Sequence, residues 1–342
     1  MLHNTRRSQI ALLSAEIETS LEKRLAPAFQ SADAPSWLEA ISDLLHCGRL
    51  DAAEHGVRHF CQWCSTSRFA DRISAVFDRL PPADTQLPFE DDPAKDVQVV
   101  ARPGAETVVL LFCGGIHELG LPVAMEHRWH GRLNASLVYL RDFQHFAFLR
   151  GVSSLGADRD ATIAALRRIV ASIGGRRIVC YGTSGGVFGS LSYGLDLGAE
   201  AILCMSGATN LSPKFNAYST WKTQARKLSD EMPGVALDMR PLYASASRPP
   251  RLRIVYGQDF WDDRIHAEHM SALSCVTLQA IENFDEHNSI VELILRGQFD
   301  DVLHWLVPPV PPANMLMNAS APGWLTRLRR FVTSHAKSVR IV

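Results

Sequence analysis

Small residues crowd around one serine in this 342-residue chain, where Gly182-Thr183-Ser184-Gly185-Gly186 follows Arg177-Ile178-Val179-Cys180-Tyr181. A serine hydroxyl is a weak nucleophile at its own pKa, so it works only with a base in hydrogen-bond reach and a third group that fixes the base. The apolar run before it is short and β-branched, which predicts a buried strand. Glycine two positions either side leaves room for a sharp strand-to-helix turn that lifts the hydroxyl clear. Ser184 would then stand at the N-terminus of a helix over Gly185–Leu197, where free N–H groups and the helix dipole favour developing negative charge. Asp259, Asp262 and Asp263 come after a later strand-like run at 251–256, and His287 lies in the polar stretch 282–288 that follows another at 276–280. An imidazole and a carboxylate are the two helpers a serine needs.

The segment 182–186, with a predicted strand before it and a helix after it, resembles the nucleophile elbow of the α/β-hydrolase superfamily. The order serine, acid, histidine along the chain is also that superfamily's. The resemblance covers roughly residues 97–306 and implies an α/β fold with a mostly parallel central sheet. It implies Ser184 as nucleophile, His287 as general base, and an acid chosen from the aspartate cluster. Asp259 is nearest the strand end, where the superfamily's acid usually sits. Asp263 opens Asp-x-x-His-Ala, as in bacterial α/β-hydrolases that this chain resembles, though an aspartate there would also cap the following helix. The reading favours Asp263 and keeps Asp259 and Asp262 open. The oxyanion hole would come from the N–H of Gly185 and from the loop Gly114-Gly115-Ile116 after an early strand. That loop begins Cys113-Gly114-Gly115 rather than with the common His-Gly, which leaves its donor residue open. The implied activity is hydrolysis of a carboxylic ester or thioester through an acyl-enzyme. Transfer to an alcohol acceptor, or a catalytically silent interaction module, are the alternatives.

The elements that must hold these groups can be read from pattern. Residues 97–101 and 107–112 are β-rich and separated by Arg102-Pro103-Gly104-Ala105, which suits a hairpin or a tight turn. Residues 137–140 form the next strand and end at Arg141-Asp142. Ligands gather at the carboxyl ends of strands in open α/β sheets, so Arg141 either binds an anionic part of the substrate or pairs internally with an acid such as Asp142. Residues 158–173 read as an amphipathic helix stopped by Gly174-Gly175. Residues 210–250 break the strand–helix rhythm and carry Tyr218, Trp221 and Tyr243, which suggests a small cap whose aromatics serve packing or substrate contact equally well.

This gives three regions: an all-helical N-terminal region over 1–82, an α/β-hydrolase domain over 83–306, and a proline-rich spacer with a basic amphipathic helix over 307–342. Residues 37–60 contain one helix pair broken at Gly48 that is weakly similar to a tetratricopeptide unit. A single such unit needs neighbours to be stable, so these helices are expected to pack on the following domain. The C-terminal helix could lie on an acidic membrane, grip a protein partner or dock back on the body.

Thirty-five Lys+Arg against 36 Asp+Glu leave a formal charge of −1, which gives no global field for nucleic acid. Seven cysteines, an odd number spread over a long chain, do not form a disulfide framework and point to a reducing cytoplasm. Cys61-Gln62-Trp63-Cys64 has metal-ligand spacing but no second pair, so neither metal nor cofactor is expected. The partner implied is a small-molecule or glycan-linked acyl ester.

Overall fold

The computed structural model describes residues 34–46, 48–63 and 68–309. Cys64 and the basic amphipathic stretch after the spacer lie outside them. In chain order the elements are α1 (Ala34–His46), α2 (Leu50–Trp63), α3 (Arg68–Phe77), β1 (Val97–Val100), β2 (Thr107–Phe112), α4 (Val123–His130), β3 (Ser136–Leu140), α5 (Arg159–Ser172), β4 (Arg177–Ser184), α6 (Gly185–Leu197), β5 (Ala201–Gly207), α7 (Lys222–Glu231), α8 (Met239–Ser245), β6 (Arg251–Gly257), α9 (Trp261–His269), β7 (Val276–Ile281), α10 (Ser289–Leu295) and α11 (Phe299–Leu306).

Seven strands form one sheet in the order β1-β3-β2-β4-β5-β6-β7. All neighbouring pairs are parallel except β1 with β3. Of the hairpin or tight turn expected between 97–101 and 107–112, the tight turn forms, with the Ala105 N–H donating to the Arg102 carbonyl at 3.1 Å, and the hairpin does not, because β3 lies between the two strands and β1 pairs antiparallel with β3. The burial explains the difference. Every residue of β2 is buried, so β2 takes a parallel partner on each side, whereas β1 is only half-buried and suits an edge.

Alternation along the central strands divides the core in two. Val109, Leu111, Leu137, Tyr139, Val179, Tyr181, Leu203 and Met205 face one layer. Val108, Leu110, Phe112, Val138, Leu140, Cys180, Ile202 and Cys204 face the other, with α5, α6 and α8. This is the period of two that a strand buried on both faces requires.

The first layer also contains the N-terminal helices. Ile41 and Leu44 of α1, Val57 and Phe60 of α2, and Ile73 and Val76 of α3 share one continuous core with α4, α10, α11 and the sheet. Residues 210–250 hold the two short helices α7 and α8, with Asn210 and Asp238 bridging the ends of the excursion. Tyr243 of α8 donates a hydrogen bond to the Leu191 carbonyl at 2.9 Å, which ties that insertion to α6.

Phe60 is fully buried in the shared core. Phe60→Ala is expected to cost about 3–5 kcal/mol and to lower a single melting transition of the whole molecule, as followed by thermal circular dichroism. A separate low-temperature transition with the main one unmoved would show that the N-terminal helices fold independently of the sheet.

Candidate active site

β4 runs up the middle of the sheet, and α6 begins at the residue after Ser184. Ser184 sits at φ 51° and ψ −122°, a conformation that costs a non-glycine residue about 1–3 kcal/mol and persists only where its surroundings enforce it. The surroundings here are glycines. A Cβ at Gly186 would strike the Phe112 carbonyl at the end of β2, and one at Gly182 would lie 2.5 Å from Ser190 Oγ and 2.6 Å from the Gly186 carbonyl. Gly207, at the end of β5, is a third requirement that no spacing announced, because a Cβ there would strike the carbonyl of Ser184 itself. The β4–β5 register slips by one residue between Thr183 and Ser184, so that Ser184 pairs with Gly207 and not with Ser206.

His287 lies in the loop between β7 and α10. Its Nε2 is 2.9 Å from Ser184 Oγ, and its Nδ1 is 2.8 Å and 3.0 Å from the two carboxylate oxygens of Asp263. Nδ1–H therefore donates to Asp263, leaving Nε2 to accept the Ser184 proton. The Asp263 side chain is wholly buried, while that of His287 is 39% exposed, so the carboxylate is held dry and the imidazole meets the substrate side. Burial works against a charged His287, but the hydrogen bond and charge of Asp263, with Asp262 behind them, outweigh it and hold the imidazole pKa above the usual histidine value. Burial raises the Asp263 carboxyl, and His287 opposes that rise. The other buried histidines differ: burial pushes His127 and His266 down to about 4 and His130 to about 3.

The chain has the α/β-hydrolase fold. Of the three aspartates weighed for the acid, only Asp263 hydrogen-bonds His287 among the described residues. Asp259 is exposed in the loop before α9, where its N–H donates to the Phe284 carbonyl at 3.0 Å. Helix α9 starts at Trp261, so residue 263 falls in its first turn on the face toward the sheet while 259 stays outside. Asp262 faces elsewhere and accepts the Thr220 N–H through Oδ2 at 3.0 Å.

The loop after β2 brings Gly115 close to the helix start: its N is 3.7 Å from where a Cβ on Gly185 would stand. Gly114 is not available as a donor. Its N–H is spent on the Glu118 carbonyl at 2.7 Å in a turn closed by His117 N–H to the Gly114 carbonyl at 2.9 Å. Its role is steric, since a Cβ at 114 would sit 3.2 Å from Ser184 Cβ. The N–H of Gly115 has no hydrogen-bond partner among the described residues, and Ile116 follows it with a side chain 68% exposed. Asn288 fastens this loop to the histidine's own segment: its Nδ2 donates to the Gly120 carbonyl at 2.7 Å while its Oδ1 caps α10.

Arg141 does not present itself to a ligand. It is 2% exposed, with Nη2 2.6 Å from Asp91 and further bonds to the Lys95 and His117 carbonyls and to Gln98. A charge so deeply buried needs a partner and filled donors, and Asp91, in the segment before β1, supplies the partner. Asp142 is occupied separately, accepting the N–H groups of Gln144, Phe146 and Phe148. Arg141 thus braces the loop through His117.

Aromatic rings border the pair of Ser184 and His287. Trp221 lies 3.9 and 4.0 Å, through Cζ3 and Cη2, from the Cβ position of Gly185. Its ring centroid is 6.4 Å from that of His287, and Phe260 is 5.7 Å from the same imidazole. Phe260 was invisible as a site residue, since one aromatic among the acids of 259–263 carries no spacing signal.

No protein-family model matches the sequence, and no curated protein matches it either. Among solved structures, the chain is similar to the Staphylococcus aureus fluorophosphonate-binding serine hydrolase FphF, at 13% identity and a TM-score of 0.44 over 62% of this chain and 92% of that one. A capsule O-acetyltransferase of Neisseria meningitidis serogroup A matches at 13% identity and 0.43 over 66% and 99%. An esterase of the bacterial hormone-sensitive lipase family matches at 19% and 0.42 over 75% and 98%.

The glycines of the elbow and of the loop should respond oppositely to a methyl group. Gly186→Ala is expected to destabilise the protein by about 3 kcal/mol or more, whereas Gly115→Ala, with nothing within 4 Å of its Cβ position, should stay within about 1 kcal/mol of the parent in urea unfolding.

Proposed function

We propose that the protein is a serine hydrolase that cleaves a carboxylic ester or thioester, with Ser184 as nucleophile, His287 as general base and acid, and Asp263 as the group that orients and charges the base. The observation that carries this reading is the unbroken chain of contacts from Asp263 through Nδ1 and Nε2 of His287 to Ser184 Oγ, at 2.8 and 2.9 Å. His287 Nε2 takes the hydroxyl proton as Oγ adds to the carbonyl carbon. The oxygen that gains charge moves onto the N–H groups of Gly185 and Gly115, and each such donor contributes about 10²–10³ in rate. The tetrahedral species collapses when His287 returns its proton to the departing alkoxide or thiolate, leaving an acyl group on Ser184. A water, deprotonated by the same nitrogen, then releases the acid.

The elbow supports this reading from the energetic side. Strain at Ser184 and a buried carboxylate at Asp263 are both unfavourable for folding, and such features concentrate where a site is preorganised. Exposed apolar side chains support an organic substrate: Ile116 stands on the loop, Phe143 packs edge-on to His117, and Trp261 precedes Asp263 by two residues.

A fluorophosphonate probe should label the parent protein and leave Ser184→Ala unlabelled; equal labelling of the two would remove the proposal. The base must be neutral to act, so kcat/KM for a p-nitrophenyl ester should rise with pH through a midpoint above the ordinary histidine value of about 6.5. Asp263→Asn takes away what raises that midpoint while burial remains, so the midpoint should move to lower pH as the rate falls by about 10³–10⁴. A midpoint that did not move in the variant would place the titration on another group.

A further inference from the structure

Trp221 belongs to the excursion between β5 and β6, and the excursion is fastened on the side that faces the site. Asp262, one residue before the proposed acid, accepts the Thr220 N–H at 3.0 Å, and Ser219 Oγ accepts the Trp221 N–H at 3.1 Å. The Ala225 N–H donates to the Trp221 carbonyl at 2.8 Å, which begins α7. Three hydrogen bonds within residues 219–225 thus hold the backbone that carries the indole. Its ring is packed edge-on to two imidazoles, His266 at 6.3 Å and 86° and His287 at 6.4 Å and 66°. Its benzo edge reaches the N-terminal residue of α6.

That residue is Gly185, whose N–H receives the substrate oxygen in the proposed reaction. The acyl chain starts on the same carbon that bears this oxygen, one bond away from it. The departing alcohol takes its proton from Nε2 of His287, whose side chain is 39% exposed, and so has an outward route. The acyl chain stays on Ser184 throughout the covalent stage and has to fit in the space that the indole bounds. An aromatic wall on a fastened backbone, packed against two imidazoles, sets a length limit, because each additional methylene without room costs about 10-fold or more in kcat/KM.

We propose that Trp221, latched by Asp262, is the acyl-size determinant of the site and restricts it to donors with short acyl chains of a few carbons. This rests on the ester-cleaving reading and narrows its substrate class. Gly185 itself fits the assignment, since a Cβ there would already touch the indole, at 3.9 Å. Trp221 is half-buried, as a side chain with one face on protein and one toward substrate would be.

The test uses the full chain and p-nitrophenyl acetate, butyrate and octanoate, which share a leaving group and differ only in acyl length. The parent is expected to lose at least about 10-fold in kcat/KM between butyrate and octanoate. Trp221→Ala should raise the octanoate-to-acetate ratio at least tenfold, with Trp221→Leu in the same direction as a variant that keeps the core filled. Asp262→Asn, which preserves shape and weakens the latch, should raise the ratio less. Octanoate turned over as fast as acetate by the parent, or a ratio unchanged in both Trp221 variants, would overturn the assignment. A small ethyl fluorophosphonate separates the two ways of failing. Labelling of Ser184 together with an unchanged ratio removes the wall alone, whereas absence of labelling in the parent removes the ester-cleaving reading and the wall with it.

Discussion

The rest of the site depends on one tight contact: the backbone at residues 184–186 presses against the end of β2. There is no space for a single carbon between Gly186 and the Phe112 carbonyl. β2 and β4 are parallel neighbours in the sheet, paired up to Phe112 and Gly182, so their carboxyl ends stop side by side. That parallel pairing brings the loop after β2 over the start of α6. An anion-stabilising arrangement needs N–H groups from two separate stretches of chain converging on one point, and in the proposed reaction Gly185 and Gly115 would supply them. The positive φ of Ser184 follows, since a chain turning so tightly from strand to helix has no relaxed conformation at the corner.

A second layer of constraint comes from charges held away from water. Asp263 and Arg141 are both buried, and each is unfavourable alone. Asp263 is matched to a half-buried histidine, so its charge raises the proton affinity of the His287 imidazole. Arg141 is matched to Asp91 and spends its remaining N–H groups on carbonyls, including that of His117 in the loop. Two buried charges of opposite sign thus serve different ends: one pair adjusts a proton affinity and the other locks a loop.

The histidine segment is held by parts of the chain far from one another. Asn288 joins it to Gly120. From the N-terminal side, Arg72 of α3 bonds Glu292 at 3.1 Å, lies 3.7 Å from Glu286 and stands over the Phe284 ring at 5.9 Å. These groups flank His287 on both sides in the chain. Helices that begin well before the sheet therefore share the core under it and also brace the loop that carries His287, which gives the N-terminal region a physical connection to the candidate site.

Local pattern was enough to read the strands from their β-branched runs, the elbow from Gly182, Ser184 and Gly186, and the helix Gly185–Leu197, since each depends on interactions between residues near in the chain. The residues proposed for nucleophile and base were legible for the same reason. Partner choice was not. Which aspartate meets His287 depends on where α9 begins and which way its first turn faces, and whether β1 pairs with β2 or β3 depends on which strand can afford an edge. Asp91 under Arg141 and the indole over Gly185 are likewise decided by contacts between residues tens of positions apart in the chain. Sequence spacing carries the period of a helix or a strand, but it holds no record of the distance between two elements that only packing brings together.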